Sequence, residues 1–321
     1  MLESLKLVGT ISRAEFLLPN LGSLIMGLAW GANPSTSIGD VVILVILSFA
    51  IINMSSAIGA QANTWSDREL DSKDERKKKL VQAMNAFGVD RLKKLLILEF
   101  SFTFILVFLF MMVQEKPLLL ILWAVGISLG CAYSLLPIRL KSRSWLAPVS
   151  LILVLAVFPV LFAYFTFTSE ISGLFLLSLA GLALTVYGVI IPTEIRDYFG
   201  DRVMGIETFT VRLGLVKASI LAVTLLAAGA TLTTIAFLLQ FIYGANLFLV
   251  VFPAAIPIAA FVVLKQFKKL HSLSKEYNES KSKVIEAEIV NLSSQNPKWI
   301  MIVTQTYSIM SIVLLVSKFL L

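Results

Sequence analysis

A short acidic pattern closes the second long apolar run of the sequence, and its residue types suit metal chemistry. Asn63, Asp67 and Asp71 are spaced at i, i+4 and i+8. At that spacing the three side chains share one face of a helix. Carboxylate and amide oxygens are ligands for hard divalent cations, and such cations bind phosphates. The pattern therefore predicts a cation site for a phosphorylated ligand at the end of a helix.

A second acidic pattern closes a later apolar run and repeats this spacing. Asp197 and Asp201 stand at i and i+4, and Thr193 occupies the place that Asn63 has in the first pattern. Taken singly, each acid could be an ordinary solvated loop carboxylate. The matched spacing, with Glu194 at the end of the same run, favours a shared site in which Mg²⁺ ions hold a diphosphate. The predicted metal ligands are Asp67, Asp71, Asp197 and Asp201.

Composition indicates the class of protein that must position these acids. Hydrophobic residues make up 58% of the 321 residues and charged residues 15%, and the apolar residues come in blocks about as long as a bilayer span. These features predict an all-α polytopic membrane protein with a single domain, residues 1–321. The single cysteine, Cys131, excludes a disulfide framework. The single histidine, His271, lies in a polar stretch between lysines, which predicts a solvated side chain without a catalytic role.

Nine apolar runs predict nine transmembrane helices. The first run is short enough to have a broken or interfacial start, and the residues before it could form a short helix on the membrane surface. The polar stretch 265–298, between the last two runs, forms either an amphipathic surface helix or a solvated linker. The predicted spans are Phe16–Trp30, Val41–Gln61, Leu95–Val113, Leu118–Leu136, Trp145–Phe165, Leu174–Pro192, Ala218–Tyr243, Leu247–Leu264 and Trp299–Leu321.

Basic residues are concentrated at the N-terminus and in the loops that follow even-numbered spans, with Lys116 and Lys318 as the exceptions. Because translocation disfavours lysine and arginine in loops that cross the membrane, the N-terminus is predicted to be cytoplasmic. Both acidic patterns follow even-numbered spans, so the site is predicted to face the cytoplasm in a protein of the cell membrane. This distribution accounts for the net charge of +7 without a nucleic-acid partner.

The acidic patterns and two further stretches resemble the UbiA superfamily of intramembrane prenyltransferases. Its members carry Asn-x-x-x-Asp-x-x-x-Asp after the second helix and Asp-x-x-x-Asp after the sixth. The stretch from Asp197 to Gly214, DYFGDRVMGIETFTVRLG, and the stretch from Tyr133 to Lys141, YSLLPIRLK, are similar to further family motifs. The resemblance covers nearly the whole chain. It implies nine transmembrane helices around a lipid-open central cavity that is capped by cytoplasmic loops.

The resemblance also implies roles for the site residues. Asn63 would orient a prenyl diphosphate or complete a metal's ligand shell, and Arg139 and Lys141 would add fixed positive charge to the leaving group. Tyr133 would stabilise the prenyl cation or orient the acceptor. Alternatively, the two basic residues could be positive-inside anchors and the tyrosine part of an aromatic belt. The candidate catalytic residues are Asp67, Asp71, Asp197, Asp201 and Tyr133, and the candidate substrate-binding residues are Asn63, Arg139, Lys141, Lys78, Lys79 and Arg196.

Three of these candidates and one further acid have less specific signals. Lys78 and Lys79 are candidates because the loop after the first motif has lysines where the family usually has an Arg-Pro pair. Arg196 flanks the second motif and could simply pair with it. Glu99 lies about one turn inside the third span, where an ionisable residue is a site candidate by default, although a neutral or lysine-paired carboxylate is the simpler interpretation.

The predicted function is Mg²⁺-dependent transfer of a polyprenyl group from a prenyl diphosphate to an aromatic quinone-precursor acceptor within the membrane. Geranylgeranyl transfer to geranylgeranylglyceryl phosphate is the alternative acceptor reaction, since related motifs occur in both groups of the family. Outside this class, a cation-coupled transporter would place its acids in mid-span, and an inactive lipid-binding scaffold would not require all four aspartates. The expected partners are a prenyl diphosphate, a lipophilic or aromatic acceptor and membrane lipid.

Overall fold

The computed structural model describes residues 2–34, 37–72, 77–143 and 145–319, and within these ranges it contains helices and no strands. The predicted all-α fold is confirmed for this part of the chain. In chain order the helices are α1 (Leu2–Ile11), α2 (Leu17–Gly31), α3 (Ile38–Ser66), α4 (Arg68–Asp71), α5 (Lys78–Phe87), α6 (Val89–Gln114), α7 (Pro117–Ser134), α8 (Leu146–Ile152), α9 (Phe158–Phe167), α10 (Gly173–Val203), α11 (Phe209–Leu213), α12 (Leu215–Tyr243), α13 (Ala255–Ser280), α14 (Lys283–Ser294) and α15 (Asn296–Phe319).

Eight of the described segments are long and apolar enough to cross a membrane. The first predicted span, Phe16–Trp30, corresponds to α2, which has 15 residues. At 1.5 Å per residue it extends only about 22 Å, less than the roughly 30 Å of a bilayer's hydrocarbon core. The count of nine spans is therefore not confirmed. Positions 320 and 321, at the end of the last predicted span, lie outside the described residues.

The second half of α2 is buried in the bundle, and two of its glycines allow α9 to approach closely. A Cβ atom at Gly27 would lie 2.4 Å from Cβ of Ala163, and one at Gly31 would lie 2.6 Å from the carbonyl oxygen of Tyr164. Neither position has room for a larger side chain. Small residues of this kind let membrane helices pack backbone to backbone.

Helices α10 and α12 also pack closely through glycines, and α10 carries the second acidic motif. A Cβ atom at Gly181 would lie 2.2 Å from Oγ1 of Thr233, and one at Gly229 would lie 2.3 Å from Oγ1 of Thr185. Each glycine of one helix thus receives a threonine of the other. This reciprocal packing fixes the position of α10 in the bundle.

Recognisable local signals begin and end several helices. The Ser37 side chain accepts a hydrogen bond from the backbone N–H of Asp40 at 3.2 Å and caps the start of α3. Pro117 occupies the first turn of α7, where its missing N–H costs no helical hydrogen bond. Gly214 has φ of 80° and separates α11 from α12. The glycine of the Val-Arg-Leu-Gly stretch is therefore required by a left-handed backbone.

The stretch 265–298 is helical along most of its length, so the solvated-linker alternative is wrong. Helix α13 continues out of its apolar half to Ser280, and α14 follows as a separate amphipathic helix. Ile289 and Leu292 of α14 are buried in the main core, whereas Val284 is 68% exposed. The buried side of α14 packs against α10, the helix that carries the second acidic motif.

Two polar side chains have partners that differ from those expected. His271 lies on α13 and is half-buried, with Nδ1 2.9 Å from Oγ of Ser219 on α12, so its prediction as a solvated linker residue is wrong. Glu99 accepts a hydrogen bond from Nε2 of Gln61 at 2.8 Å. Its partner is an amide and not a lysine. Cys131 is half-buried and forms no disulfide.

The two lysines on the side with few basic residues have structural roles. The Nζ atom of Lys116 donates to the carbonyl oxygens of Phe165 and Thr166, both at 3.0 Å. The Nζ atom of Lys318 donates to the carbonyl oxygen of Trp30 at 2.9 Å. These carbonyls belong to the last turns of α9 and α2, where no intrahelical N–H reaches them. Burial lowers the pKa of Lys116, which lies between two spans. Both lysines thus cap helix ends on the same side of the bundle.

Helix α1 packs against α5, the helix that follows the first acidic motif. Ile11 is fully buried and forms a small separate core with Ala83, Met84 and Leu92. The chain then turns at Arg13, whose φ of 51° lies in the left-handed region. The N-terminal segment is thereby joined to the loops around the first motif.

Candidate functional site

One cavity of about 500 Å³ opens between α2, α3, α7, α9 and α10, and both acidic motifs reach it. Its lining changes in character along its length. Asp67, Asp197 and Asp201 lie at one end, and aromatic and aliphatic side chains such as Trp123 and Phe162 line the other part. A charged end joined to an apolar chamber suits an amphiphilic ligand with an anionic head.

The first motif keeps its helical spacing although α3 ends within it. The backbone N–H of Asp67 donates to the carbonyl of Asn63 at 3.0 Å, and that of Asp71 donates to the carbonyl of Asp67 at 2.7 Å. Asn63 lies at the centre of a polar network. Its Nδ2 donates to Oγ of Ser134 at 2.6 Å and to Oδ2 of Asp67 at 3.2 Å, while its Oδ1 accepts from Nη2 of Arg13 at 3.4 Å.

Asp67 is held by two basic side chains from the loop after α7. Nη2 of Arg139 lies 3.2 Å from Oδ1, and the ammonium group of Lys141 forms an ion pair with Oδ2. Asp67 is only 6% exposed, so the pairing offsets the cost of burying its charge. Burial lowers the pKa of Lys141, and the charge of Asp67 opposes that shift. The Nε atom of Arg139 is buried and has no acceptor within the described part of the chain.

Asp71 lies outside the cavity lining. It is 2% exposed, and Oδ1 accepts from Nζ of Lys77 at 2.7 Å. Lys77 itself lines the cavity. Lys78 and Lys79, the residues predicted in this loop, are exposed on α5 and do not line it. Of the three consecutive lysines 77–79, Lys77 is the one that lines the cavity, and nothing in the spacing distinguishes it from its two neighbours.

The second motif lies on the last turns of α10. Asp197 and Asp201 both line the cavity, as do Thr193 and Glu194. The carboxylate of Asp197 also accepts from Arg196, with Nε 3.0 Å from Oδ1 and Nη2 3.2 Å from Oδ2. Arg196 does not line the cavity. Its guanidinium pairs with the second motif, as the alternative interpretation of this residue predicted. Its expected contact with substrate has no support from this geometry.

Glu194 is linked to the loop that follows the second motif. Its Oε2 accepts a hydrogen bond from the Thr210 hydroxyl, and Thr210 lies on α11 directly before the Val-Arg-Leu-Gly stretch. Thr208 caps α11, because its Oγ1 accepts from the backbone N–H of Val211 at 3.4 Å. The stretch thus folds back onto the end of α10, and Thr208 also lines the cavity.

Asn296 braces the second motif from α15 and was missed from the sequence. The side chain is fully buried, and Nδ2 donates to the carbonyl oxygen of Val189 at 2.6 Å and to Oγ1 of Thr193 at 2.7 Å. Pro192 lies within α10 directly before Thr193. An asparagine at the end of a polar stretch carries no signal that would distinguish it from a surface residue.

Arg13 is a second residue that sequence analysis did not identify as part of the site. It lines the cavity, and its guanidinium reaches Asn63. Three other basic residues of the described chain line the cavity, and each is ion-paired with an aspartate of the first motif. Arg13 has no acidic partner among the described residues. Its place 50 positions before Asn63 explains why spacing gave no signal.

Tyr133 lines the cavity close to where its charged and apolar parts meet, since the next residue, Ser134, bonds to Asn63. Below it, Nε1 of Trp123 donates to Oγ of Ser55 at 3.0 Å. The segment Leu153–Val157 is a π-helical turn between α8 and α9, and its Val154 and Leu155 line the apolar part. Such turns are often found at functional sites.

The acids around the cavity offer oxygen ligands only, which is the chemistry that hard divalent cations prefer. In the described ranges, no three acidic, histidine or cysteine side chains are close enough to form a preassembled metal site. Asp67 and Asp71 instead point to basic side chains of the protein. Asp67, Asp197 and Asp201 share the cavity and are the residues that could hold a cation there.

Comparison with known proteins gives a family and several similar folds. The model of the UbiA prenyltransferase family matches residues 20–282. No protein of curated function matches the sequence.

Three solved structures resemble the fold along nearly its whole length. A digeranylgeranylglyceryl phosphate synthase has a TM-score of 0.63 at 15% identity, covering 97% of this chain and 99% of its own. A UbiA homolog from Archaeoglobus fulgidus bound to GPP and Mg²⁺ has 0.61 at 15%, covering 92% and 99%. A UbiA homolog from Aeropyrum pernix K1 has 0.62 at 16%, covering 94% and 98%. At such identities the likeness concerns the fold.

Proposed function

The chain belongs to the UbiA prenyltransferase family and is an intramembrane prenyltransferase, and from that premise we propose that it transfers a polyprenyl group from a prenyl diphosphate to an aromatic quinone-precursor acceptor. The resemblance noted in the sequence is thereby confirmed. The observation that carries the proposal is the shared cavity, in which aspartates of both motifs and basic residues around the first motif adjoin an apolar chamber. The head of a prenyl diphosphate matches the first part and its chain matches the second.

The residues at the charged end fit Mg²⁺ by their chemistry. Asp67, Asp197 and Asp201 offer carboxylate oxygens to one cavity, and Mg²⁺ is commonly bound by one or two carboxylates together with substrate phosphates. Asn63 would orient the diphosphate beside them. A bound Mg²⁺ would stabilise the negative charge that develops on the diphosphate as its bond to carbon breaks. The Archaeoglobus fulgidus homolog bound to GPP and Mg²⁺ supports this assignment.

Asp71 is proposed to act on the same ion indirectly or after rearrangement of Lys77. The ion pair between Lys77 and Asp71 measures 2.7 Å, and Lys77 lines the cavity that Asp71 does not reach. A lysine that moved to the diphosphate would release the Asp71 carboxylate for a metal. The charge of the site would remain balanced throughout.

Fixed basic residues would hold the leaving group. Arg139 lines the cavity and has a buried Nε–H without an acceptor among the described residues, and a buried donor of this kind gains most from a ligand oxygen. Lys141 would add a point charge. Arg13, which has no acidic partner in the described chain, would complete the set from the N-terminal side.

Tyr133 would act at the carbon end of the breaking bond. Its ring lines the cavity beside the polar network of Asn63 and Ser134. An aromatic face there stabilises positive charge on the prenyl group without offering it a nucleophile. Trp123 and Phe162 line the chamber beyond, where their apolar rings would exclude water and protect the allylic cation from hydrolysis.

The distribution of charge in the cavity supports an aromatic acceptor over a phosphorylated one. In the described part of the chain the basic lining residues are Arg13, Lys77, Arg139 and Lys141, and each contacts a residue of the first motif. A second phosphate would have to compete with the diphosphate for them. The remaining polar lining includes the neutral side chains Asn20, Ser55 and Ser56, which suit hydroxyl groups on a ring.

The test is product analysis with a panel of acceptors. Purified full-length protein is incubated with Mg²⁺, one labelled prenyl diphosphate, and dihydroxynaphthoate, hydroxybenzoate or geranylgeranylglyceryl phosphate, and the products are identified by mass spectrometry. We expect a prenylated ring with loss of diphosphate, and no product after chelation of Mg²⁺. Alkylation of geranylgeranylglyceryl phosphate alone would contradict the acceptor but not the donor site. Absence of product from every acceptor, with no Mg²⁺-dependent binding of geranyl diphosphate, would contradict the proposed function.

A further inference from the structure

Gln61 connects the N-terminal segment to the membrane-embedded Glu99 and has no role in the reaction proposed above. The side chain is fully buried. Both hydrogens of its amide are used, because Nε2 donates to Oγ of Ser12 and to Oε2 of Glu99, each at 2.8 Å. Its Oε1 is buried without a partner among the described residues. The contacts join three parts of the chain, α3, α6 and the end of α1.

Maintaining Glu99 in this place has a cost that packing alone does not explain. An ionisable side chain within a membrane helix is unfavourable by on the order of a few kcal/mol, and its neighbours Leu98 and Phe100 are 66% and 43% exposed on the outer face of α6. An apolar pair at positions 61 and 99 would pack without that cost. The benefit that offsets this cost therefore lies in the backbone geometry that the Gln61–Glu99 pair holds in place.

That geometry ends in Arg13, the residue after Ser12. Arg13 has φ of 51°, a conformation that disfavours residues other than glycine and persists where the surroundings enforce it. The surroundings do so on three sides. Gln61 holds the Ser12 side chain, Oγ1 of Thr64 lies 3.4 Å from the carbonyl oxygen of Ile11, and Ile11 is buried in its own small core. The strained turn directs the guanidinium to Asn63 at the charged end of the cavity.

We infer that Gln61 and Glu99 are positioning residues that hold the turn at Ser12 so that the Arg13 guanidinium binds the diphosphate of the substrate. The inference rests on the proposed function for the identity of the anion. Glu99 fixes the amide of Gln61, and the second hydrogen of that amide fixes Ser12. Neither Gln61 nor Glu99 lines the cavity, so we infer that their effect on ligand binding passes through Arg13, and the double variant below separates this route from a direct effect on α3.

The test measures binding of geranyl diphosphate with Mg²⁺ to the purified full chain by titration calorimetry. We expect Arg13→Gln to weaken binding about tenfold, as loss of one charge-assisted hydrogen bond implies. Gln61→Leu and Ser12→Ala should weaken it to a similar extent, and Arg13→Gln combined with Gln61→Leu should bind no worse than Arg13→Gln alone. Glu99→Leu should behave like Gln61→Leu, whereas Glu99→Gln keeps an acceptor for the amide and should bind like the unmodified chain.

Ser48→Ala is the matched control, because Ser48 is a fully buried hydrogen-bonding residue on the same helix, paired with Thr166 far from the charged end. It should leave binding unchanged. Additive effects of Arg13→Gln and Gln61→Leu, or unchanged binding in both Gln61→Leu and Ser12→Ala, would overturn the inference. Ser12→Ala removes the hydrogen bond between Gln61 and Ser12 by changing Ser12, which is only half-buried. This variant therefore tests the inference even if Gln61→Leu fails to fold.

A distance measurement tests the positioning without any ligand. Spin labels are attached at Leu5→Cys on α1 and Val284→Cys on α14, both exposed, with Cys131→Ala as background. The distance distribution should broaden in Gln61→Leu and Ser12→Ala and stay narrow in Ser48→Ala. An unchanged distribution in the first two variants would overturn the positioning role. Failure of the unmodified chain to bind geranyl diphosphate would instead contradict the proposed function, and the label distances would still decide whether Gln61 holds the segment.

Discussion

Nη2 of Arg139 lies 3.2 Å from Oδ1 of Asp67, although 72 positions separate the two residues. The contact ties the loop after α7 to the first acidic motif, and both residues line the same cavity. It also aligns a guanidinium whose buried Nε–H has no acceptor in the described chain. Because a guanidinium presents several donors in a rigid plane, Arg139 can keep Asp67 and still offer a donor to a ligand.

The first prediction is that Arg139→Lys weakens the binding of geranyl diphosphate about tenfold or more, because an ammonium group cannot replace the planar set of donors. Titration calorimetry in the presence of Mg²⁺ measures the effect. Arg143→Lys is the matched control in the same loop, since Arg143 is exposed and donates to backbone carbonyls outside the cavity. Equal binding by the Arg139 and Arg143 variants would exclude Arg139 from the diphosphate site.

The second prediction compares the two motifs. Asp67→Asn and Asp197→Asn should each reduce prenyl transfer by at least about a hundredfold, or roughly 2.7 kcal/mol of barrier, since each removes a carboxylate from the proposed Mg²⁺ site. Their stabilities should differ. The Asp67 side chain is 7% exposed and pairs with Arg139 and Lys141, whereas that of Asp197 is 25% exposed and pairs with Arg196.

Only Asp67→Asn should therefore lower the thermal unfolding midpoint clearly, because it leaves two partly buried cations without a counter-charge. Scanning calorimetry or a thermal fluorescence assay of both variants measures this difference. Activity within about tenfold of the unmodified chain in both variants, a loss of no more than about 1.4 kcal/mol, would remove these carboxylates from the mechanism.

Much of the fold and of the acidic site could be predicted because their signals are local. Apolar runs of bilayer length indicated the long helices, and the spacing in each motif placed Asp67, Asp197 and Asp201 at helix ends that meet at one cavity. The stretch 265–298 was ambiguous because its apolar residues are few. Only packing of Ile289 and Leu292 onto the core distinguishes a docked helix from a solvated one.

The residues that the sequence did not reveal act across long separations. Arg13 reaches Asn63 and Asn296 reaches Thr193 over 50 and 103 positions, so no spacing could connect them. Lys77 differs from Lys78 and Lys79 only in the direction set by the start of α5. Tertiary contacts determine which of these side chains reach the site, and the spacing of residues in a single sequence does not reveal such contacts.

The third prediction concerns orientation, which follows from the distribution of basic residues. Single cysteines at Ser72 and Val203, both exposed, should react with an impermeant reagent only from the cytoplasmic side in a Cys131→Ala background. A cysteine at Ser169, exposed between α9 and α10, should react only from outside and serves as the control. Reaction of either of the first two in intact cells would reverse the predicted orientation.

The last prediction is that Asn296→Ala lowers both stability and prenyl transfer, because the fully buried amide donates to the carbonyl oxygen of Val189 and to Thr193. Loss of these bonds removes two hydrogen bonds that tie α15 to α10, at a net cost of about 0.5–1.5 kcal/mol each. It also releases the turn that bears the second motif. Thermal unfolding and turnover are measured together with those of Asn291→Ala, a control on the exposed face of α14. Unfolding and turnover like those of the control would show that α15 does not brace the second motif.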